Sequence, residues 1–173
     1  MNLEFRFLRL MNLLRYGSEE EITNELSAFI KDFWQNERGK RIIRRLCISA
    51  KVEPRSKIKR GVLKAFLSAP VWDDEIIDMI FFLSRNDPDV SVRELARKVI
   101  LGIVNNLDEE TRKKAVIRIL RAINMGDIHI NPMEIVRAMG VDNAVALIRN
   151  NEVPASIKEL LEYALEKMRA EKS

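Results

Sequence analysis

Apolar residues recur along most of the chain at the spacing of one helical face, at positions i, i+3, i+4 and i+7. The segment after Gly17 illustrates the pattern. Ser18 and Glu21 have the spacing of a capping box, which starts a helix, and the apolar stripe that follows consists of Ile22, Leu26, Phe29, Ile30 and Phe33. The alternating pattern of a half-buried strand is rare, so the sequence predicts an all-α protein.

Turn signals divide this pattern into about nine or ten helices. We place them at about 3–16, 18–34, 37–51, 55–67, 73–85, 89–104, 109–124, 132–139, 142–150 and 155–169. In the first segment Phe5 and Leu8 give the sequence a partly alternating look, and a β-strand is the alternative there.

Three of the predicted helices begin with a similar phrase that contains proline. The phrases are "PRSKIKRGVLKAF", "PDVSVRELARKVI" and "PASIKELLEYAL", and their prolines lie 34 and 66 residues apart, close to one and two copies of one unit. Proline at a helix entrance loses no intrahelical hydrogen bond. In each phrase we expect a β-branched residue to enter the core and the basic residue beside it to face out, at Ile58-Lys59, Val92-Arg93 and Ile157-Lys158.

The middle phrase resembles the second helix of HEAT repeats. "NDPDVSVRELARKVI" at 86–100 has Asp87-Pro88, Val92, Arg93 and Ala96 in the matching places. The resemblance extends over about residues 52–173 and is weaker in the flanking copies, and the first fifty residues do not match. It implies an α-solenoid, a right-handed stack of antiparallel helix pairs within a single domain of residues 1–173. A helical bundle without repeats is the alternative.

Stacked helix pairs present a concave surface, which usually binds another macromolecule.

The composition agrees with a compact protein, since 47% of the residues are hydrophobic and 32% are charged. No apolar run reaches the length of a membrane span, and charged residues interrupt the N-terminal segment where a signal peptide would be apolar. We therefore expect a cytoplasmic protein without a membrane partner. A single glutamine favours a thermophilic source, although twelve asparagines oppose it.

Residues for catalysis are few. The one histidine, His129, lies in a predicted loop, and the one cysteine, Cys47, borders an apolar face and is predicted to be a buried structural thiol. Acidic clusters fall in the first turns of predicted helices, where the helix dipole stabilises negative charge. Glycine-rich phosphate loops are absent. We expect a protein that is not an enzyme and needs no cofactor or metal; a HEAT-like DNA glycosylase using Asp73 or Asp74 beside Trp72 is a distant alternative.

The most informative stretch is basic. Residues 38–64 carry eleven Lys and Arg and one acid, Glu53. Residues 37–64 have a net charge of +9, whereas the whole chain has +4. Such segregation costs electrostatic energy and is not needed for solubility, so it favours an anionic partner. On two helical wheels the cations gather away from the apolar face, and we predict that the partner binds Arg38, Arg41, Arg44, Arg45, Lys51, Lys57, Arg60 and Lys64.

Three interpretations of this basic face stay open. The first is a binding or scaffold module that docks an acidic protein or another copy of the same chain. The second is an accessory protein that contacts nucleic-acid phosphates, although residues 38–64 contain no Phe, Tyr or Trp on which bases could stack. The third is a solvated face whose cations meet acids elsewhere in the chain, such as Asp73 to Glu75.

The N-terminal segment "LEFRFLRLMNLLRY" is a second candidate surface. Apolar residues surround much of this helix, and its main polar residues are Arg6, Arg9 and Arg15. Another surface must therefore cover its apolar sides. We expect packing against residues 22–33, and dimerisation is the alternative.

Overall fold

The computed structural model describes residues 2–172, and within that range the chain forms ten α-helices and no strand. The helices are α1 Leu3–Tyr16, α2 Glu19–Phe33, α3 Glu37–Ala50, α4 Ser56–Ser68, α5 Asp74–Asn86, α6 Val90–Asn106, α7 Glu109–Asn124, α8 Pro132–Met139, α9 Val141–Ile148 and α10 Ala155–Glu171. The all-α prediction is confirmed, and the strand considered for the first segment is wrong.

Local side-chain contacts explain where these helices begin. Ser18 and Glu21 form the predicted capping box: the Ser18 hydroxyl accepts from the Glu21 N–H, and the Glu21 carboxylate accepts from the Ser18 N–H. Side chains of five further cap residues accept from backbone N–H groups at α1, α3, α5, α7 and α8, namely Asn2, Asn36, Asp73, Asp108 and Asn131. Between α8 and α9, Gly140 adopts a φ of 92°, a conformation that favours glycine and separates the two helices.

The helices form two compact units, which divide between Val99 and Ile100 within α6. In the first unit, α2 packs against α1, α3 and α4, and α3 also packs against α4 and α5. Its core contains large side chains that are almost fully buried, including Leu10, Ile22, Leu26, Phe29 and Phe66. The expected packing of α1 against residues 22–33 is confirmed.

The second unit is organised around α10, which packs against α7, α8 and α9. The apolar stripes of these helices supply its core, which includes Val116, Ile119, Leu120, Val136 and Leu161. Ion pairs near the surface join Lys113 to Glu152 and Arg137 to Glu171.

Alternate helices of the first unit lie side by side. Glu19, at the start of α2, forms ion pairs with Arg60 and Lys64 of α4, and a cleft is lined by residues from the end of α2 and by residues 68–71, at the end of α4 and just after it. The two helices therefore run in the same direction. They approach closely at Gly61, whose carbonyl accepts a hydrogen bond from the Thr23 hydroxyl at 3.1 Å.

One expectation about the proline phrases is wrong. Ile58, Val92 and Ile157 are buried as predicted, but Lys59, expected to face out, is only 4% exposed. Its ammonium group forms an ion pair with Asp87, which immediately precedes Pro88 and is equally buried. A buried lysine is tolerated because a carboxylate from the next phrase faces it.

None of the helices in residues 2–172 has the length and apolarity that would carry it through a bilayer.

Candidate docking surface

Two of the predicted docking residues on α3 are neutralised by acids of the chain itself. Arg38 forms an ion pair with Glu4 of α1. Arg44 binds the carboxylate of Asp73 through two nitrogens, with 2.7 Å between Nη2 and Oδ1 and 3.1 Å between Nε and Oδ1. This hydrogen bond to Asp73 raises the pKa of Arg44. The contact of Arg44 with Asp73 attaches α5 to α3, whereas the pair of Arg38 with Glu4 is exposed to solvent. Both acids offset positive charge that a partner would otherwise meet.

The two predicted docking residues of the middle of α4 are also paired. Arg60 contacts Glu19 at 2.7 Å and Asp89 at 3.4 Å, and Lys64 contacts the second oxygen of Glu19. Burial would raise the pKa of Glu19, but the hydrogen bonds from Lys64 and Arg60 outweigh it and lower the pKa. Glu19 is therefore a fixed negative charge that joins α2 to α4.

The remaining four predicted docking residues have no ion-pair partner within residues 2–172. Arg41 and Arg45 are exposed and lie one turn apart on α3. Lys51 is half-buried at the end of α3, and Lys57 is exposed near the start of α4. Hydrogen bonds with Ser18 lower the pKa of Glu21, and the charge of Lys57 adds a smaller effect in the same direction. Among the predicted docking residues, the unpaired positive charge thus centres on Arg41 and Arg45.

A groove of about 230 Å³ lies next to these arginines. Phe7, Met11 and Leu14 of α1 line one wall. Ile42, Leu46 and Ser49 of α3 line the other, together with Arg45. The sequence marked α1 as a candidate surface because it is apolar on most sides, but it gave no signal that α1 and α3 lie next to each other.

Two of the three arginines of α1, Arg6 and Arg9, are paired with acids of α2. Arg6 contacts Glu25 and Asp32 at 3.3 and 2.8 Å and lies over the ring of Phe33. Arg9 is 3.5 Å from the second oxygen of Glu25. These pairs attach α1 to α2, so their charges serve the fold.

The candidate catalytic residues of the first unit, Cys47 and Asp73, have structural roles. Cys47 is fully buried, and burial raises the pKa of its thiol, which disfavours the reactive thiolate. Asp73 caps α5 by accepting the Glu75 N–H while it binds Arg44. His129 is exposed in the loop before α8. Within residues 2–172 no group of three His, Cys, Asp or Glu side chains could hold a metal ion.

The fold and this surface describe an all-α protein whose helices pack against each other, an arrangement compatible with a helical repeat. No protein-family model, curated protein or solved structure matches the chain. Its function is therefore inferred from its own residues and contacts.

Proposed function

We propose that this chain is a non-enzymatic binding or scaffold module that docks an acidic protein partner through α3. One observation carries the proposal: Arg41 and Arg45 have no ion-pair partner in residues 2–172, whereas Arg38 and Arg44 on the same helix are paired with Glu4 and Asp73. Two exposed cations one turn apart produce a local positive potential, which attracts an anionic surface and speeds its association.

Within each unit we propose that the helices are stacked in HEAT-like pairs. In the first unit, α2 and α4 lie side by side in the same direction, and α3 lies against α5. Such next-but-one neighbours are expected when each pair of antiparallel helices stacks on the preceding pair. Lys59 and Asp87 support this arrangement, since they connect the first proline phrase to the second.

Protein is favoured over nucleic acid because internal pairing halves the predicted cationic set. Four unpaired cations would give a log-log dependence of DNA affinity on salt of at most about −3.6, at about −0.9 per neutralised phosphate. The basic stretch also lacks an aromatic residue for base stacking. An acidic protein surface needs only a few well-placed charges beside apolar contacts.

The test is a double charge reversal, Arg41→Glu with Arg45→Glu. The wild-type chain and the variant are immobilised and exposed to a nuclease-treated extract of the source organism, and the retained proteins are quantified by mass spectrometry. We expect a defined set of acidic proteins on the wild type and at least a tenfold loss on the variant, because the reversed charges repel the same surface.

The matched control is Lys114→Glu with Arg121→Glu. Both residues are exposed on α7, and this variant changes the net charge by the same amount. It should retain the same proteins as the wild type. Equal losses on both variants would show a response to net charge alone and would overturn the proposal. Proteins that the wild type retains from an untreated extract but not from the nuclease-treated one would support the nucleic-acid alternative instead.

A further inference from the structure

The groove between α1 and α3 has the geometry that a third helix requires. Its wall on α1 consists of residues 7, 11 and 14, and its wall on α3 includes residues 42, 46 and 49. Both sets have the spacing i, i+4 and i+7, which is that of the side-chain rows on a helix surface. The ridge of another helix packs into the space between such rows.

The chain itself leaves this groove open. Phe7, Met11, Leu14 and Ile42 remain half-buried although they face the groove, and Leu8 beside them is 65% exposed. Water therefore still reaches apolar surface that a docked side chain would cover. The lining residues span eight positions on each helix, about 12 Å at about 1.5 Å per residue, and thus match about two turns of a partner helix.

Charge restricts the kind of helix that fits. Arg45 lines the groove and Arg41 lies one turn before it, and neither has an acidic partner within residues 2–172. At the other end, Arg38 is already neutralised by Glu4. The open rim is therefore positive along the middle of α3, and a helix with carboxylates beside its apolar stripe would complement it.

We propose that the α1–α3 groove binds an amphipathic helix of a partner protein, with an apolar stripe at i, i+3, i+4 and i+7 flanked by Asp or Glu. The inference rests on the proposed function and specifies the binding element of the acidic partner. Helix-in-groove recognition of this kind derives affinity from the apolar anchors and orientation from the flanking charges.

The test is a substitution that fills the groove. Ser49→Trp places a large ring at a lining residue, whereas Ile48→Trp places the same ring on the preceding residue, which is half exposed and is not part of the groove wall. The probe is a displayed library of 18-residue helices with a fixed leucine stripe and random polar positions, selected on the full wild-type chain. Circular dichroism and thermal unfolding verify that both variants fold.

We expect the selected helices to be enriched in Asp and Glu beside the stripe. Their affinity should fall at least tenfold on Ser49→Trp and less than twofold on Ile48→Trp. Selection without acidic enrichment, or equal binding to the two variants, would overturn the inference. So would a concentration-dependent dimer of the wild type that Ser49→Trp dissociates, since a second copy would then occupy the groove.

The extract experiment separates this inference from the proposed function. If Ser49→Trp retains the partner proteins while Arg41→Glu with Arg45→Glu loses them, α3 docks the partner outside the groove and only the groove inference fails. If the double reversal retains them, the proposed function fails as well.

Discussion

The ion pair between Lys59 and Asp87 connects α4 to the segment that leads into α6. The two side chains are only 4% and 2% exposed, so little water screens either charge. The second oxygen of Asp87 accepts the Asp89 N–H at 2.9 Å, and the Asp87 carbonyl accepts a hydrogen bond from Arg93. The pair therefore fixes a backbone turn as well as two helices.

Removing the cation should be costly. In Lys59→Met the side chain keeps most of its length, but the buried carboxylate of Asp87 loses its counter-charge. We expect the free energy of unfolding to fall by about 3–5 kcal/mol, the usual consequence of leaving a buried charge unpaired. Urea denaturation followed by circular dichroism measures this loss.

Lys57→Met is the matched control, because Lys57 lies on the same helix and is exposed. Its effect should stay within about 0.5 kcal/mol. Adding Asp87→Asn to Lys59→Met removes the uncompensated charge and should recover part of the stability. Equal losses for the two lysine variants would show that the buried pair contributes nothing specific.

At the scale of elements, the contact between α2 and α4 depends on a missing side chain. A Cβ atom built on Gly61 would lie 2.8 Å from Cγ2 and 3.0 Å from Cβ of Ile22, and 3.2 Å from the Glu19 carbonyl oxygen. Ile22 is fully buried and cannot move away easily. Glycine thus permits the two helices to approach closely.

Gly61→Ala separates local helix propensity from packing. Alanine favours the helix by about 0.5–1 kcal/mol, but overpacking a core typically costs about 1–3 kcal/mol. We expect the cost of overpacking to exceed the gain in helix propensity, so the midpoint of thermal unfolding should fall. Ser68→Ala, at an exposed position on the same helix, should leave the midpoint nearly unchanged. A higher midpoint for Gly61→Ala would show that the interface between α2 and α4 accommodates the added methyl group without a loss of stability.

At the scale of the whole molecule, we expect a single substitution to destabilise the two compact units to different extents. Lys59 and Asp87 both belong to the first unit, which ends at Val99. Opening free energies differ between cooperative parts of a protein, and hydrogen exchange reports them separately. A defect in the buried pair should therefore act first on the helices that contact it.

We expect Lys59→Met to accelerate amide hydrogen exchange most in α4, at the end of α5 and at the start of α6. The amides of α7 to α10 should show a smaller change under the same native conditions. Mass spectrometry of peptic fragments can follow both sets in one sample, with Lys57→Met as the reference. The same increase in every helix would show that the chain opens as one cooperative unit.

The sequence by itself determined the ten helices and most of their ends. Helical periodicity, caps such as Ser18 and the prolines before α4, α6 and α10 are signals within a few residues, and they act before any tertiary contact forms. The buried positions Ile58, Val92 and Ile157 also followed from local pattern, because each lies on the apolar face of its own helix.

Only the tertiary structure decided which charges remain available. Arg44 and Arg45 are neighbours on one basic helix, yet Arg44 pairs with Asp73, 29 residues away, and Arg45 lines an open groove. Lys59 resembles its exposed neighbours in sequence, yet it is buried against Asp87. A helical wheel shows the face on which a side chain lies, whereas ion pairs and grooves depend on the helices that pack beside it.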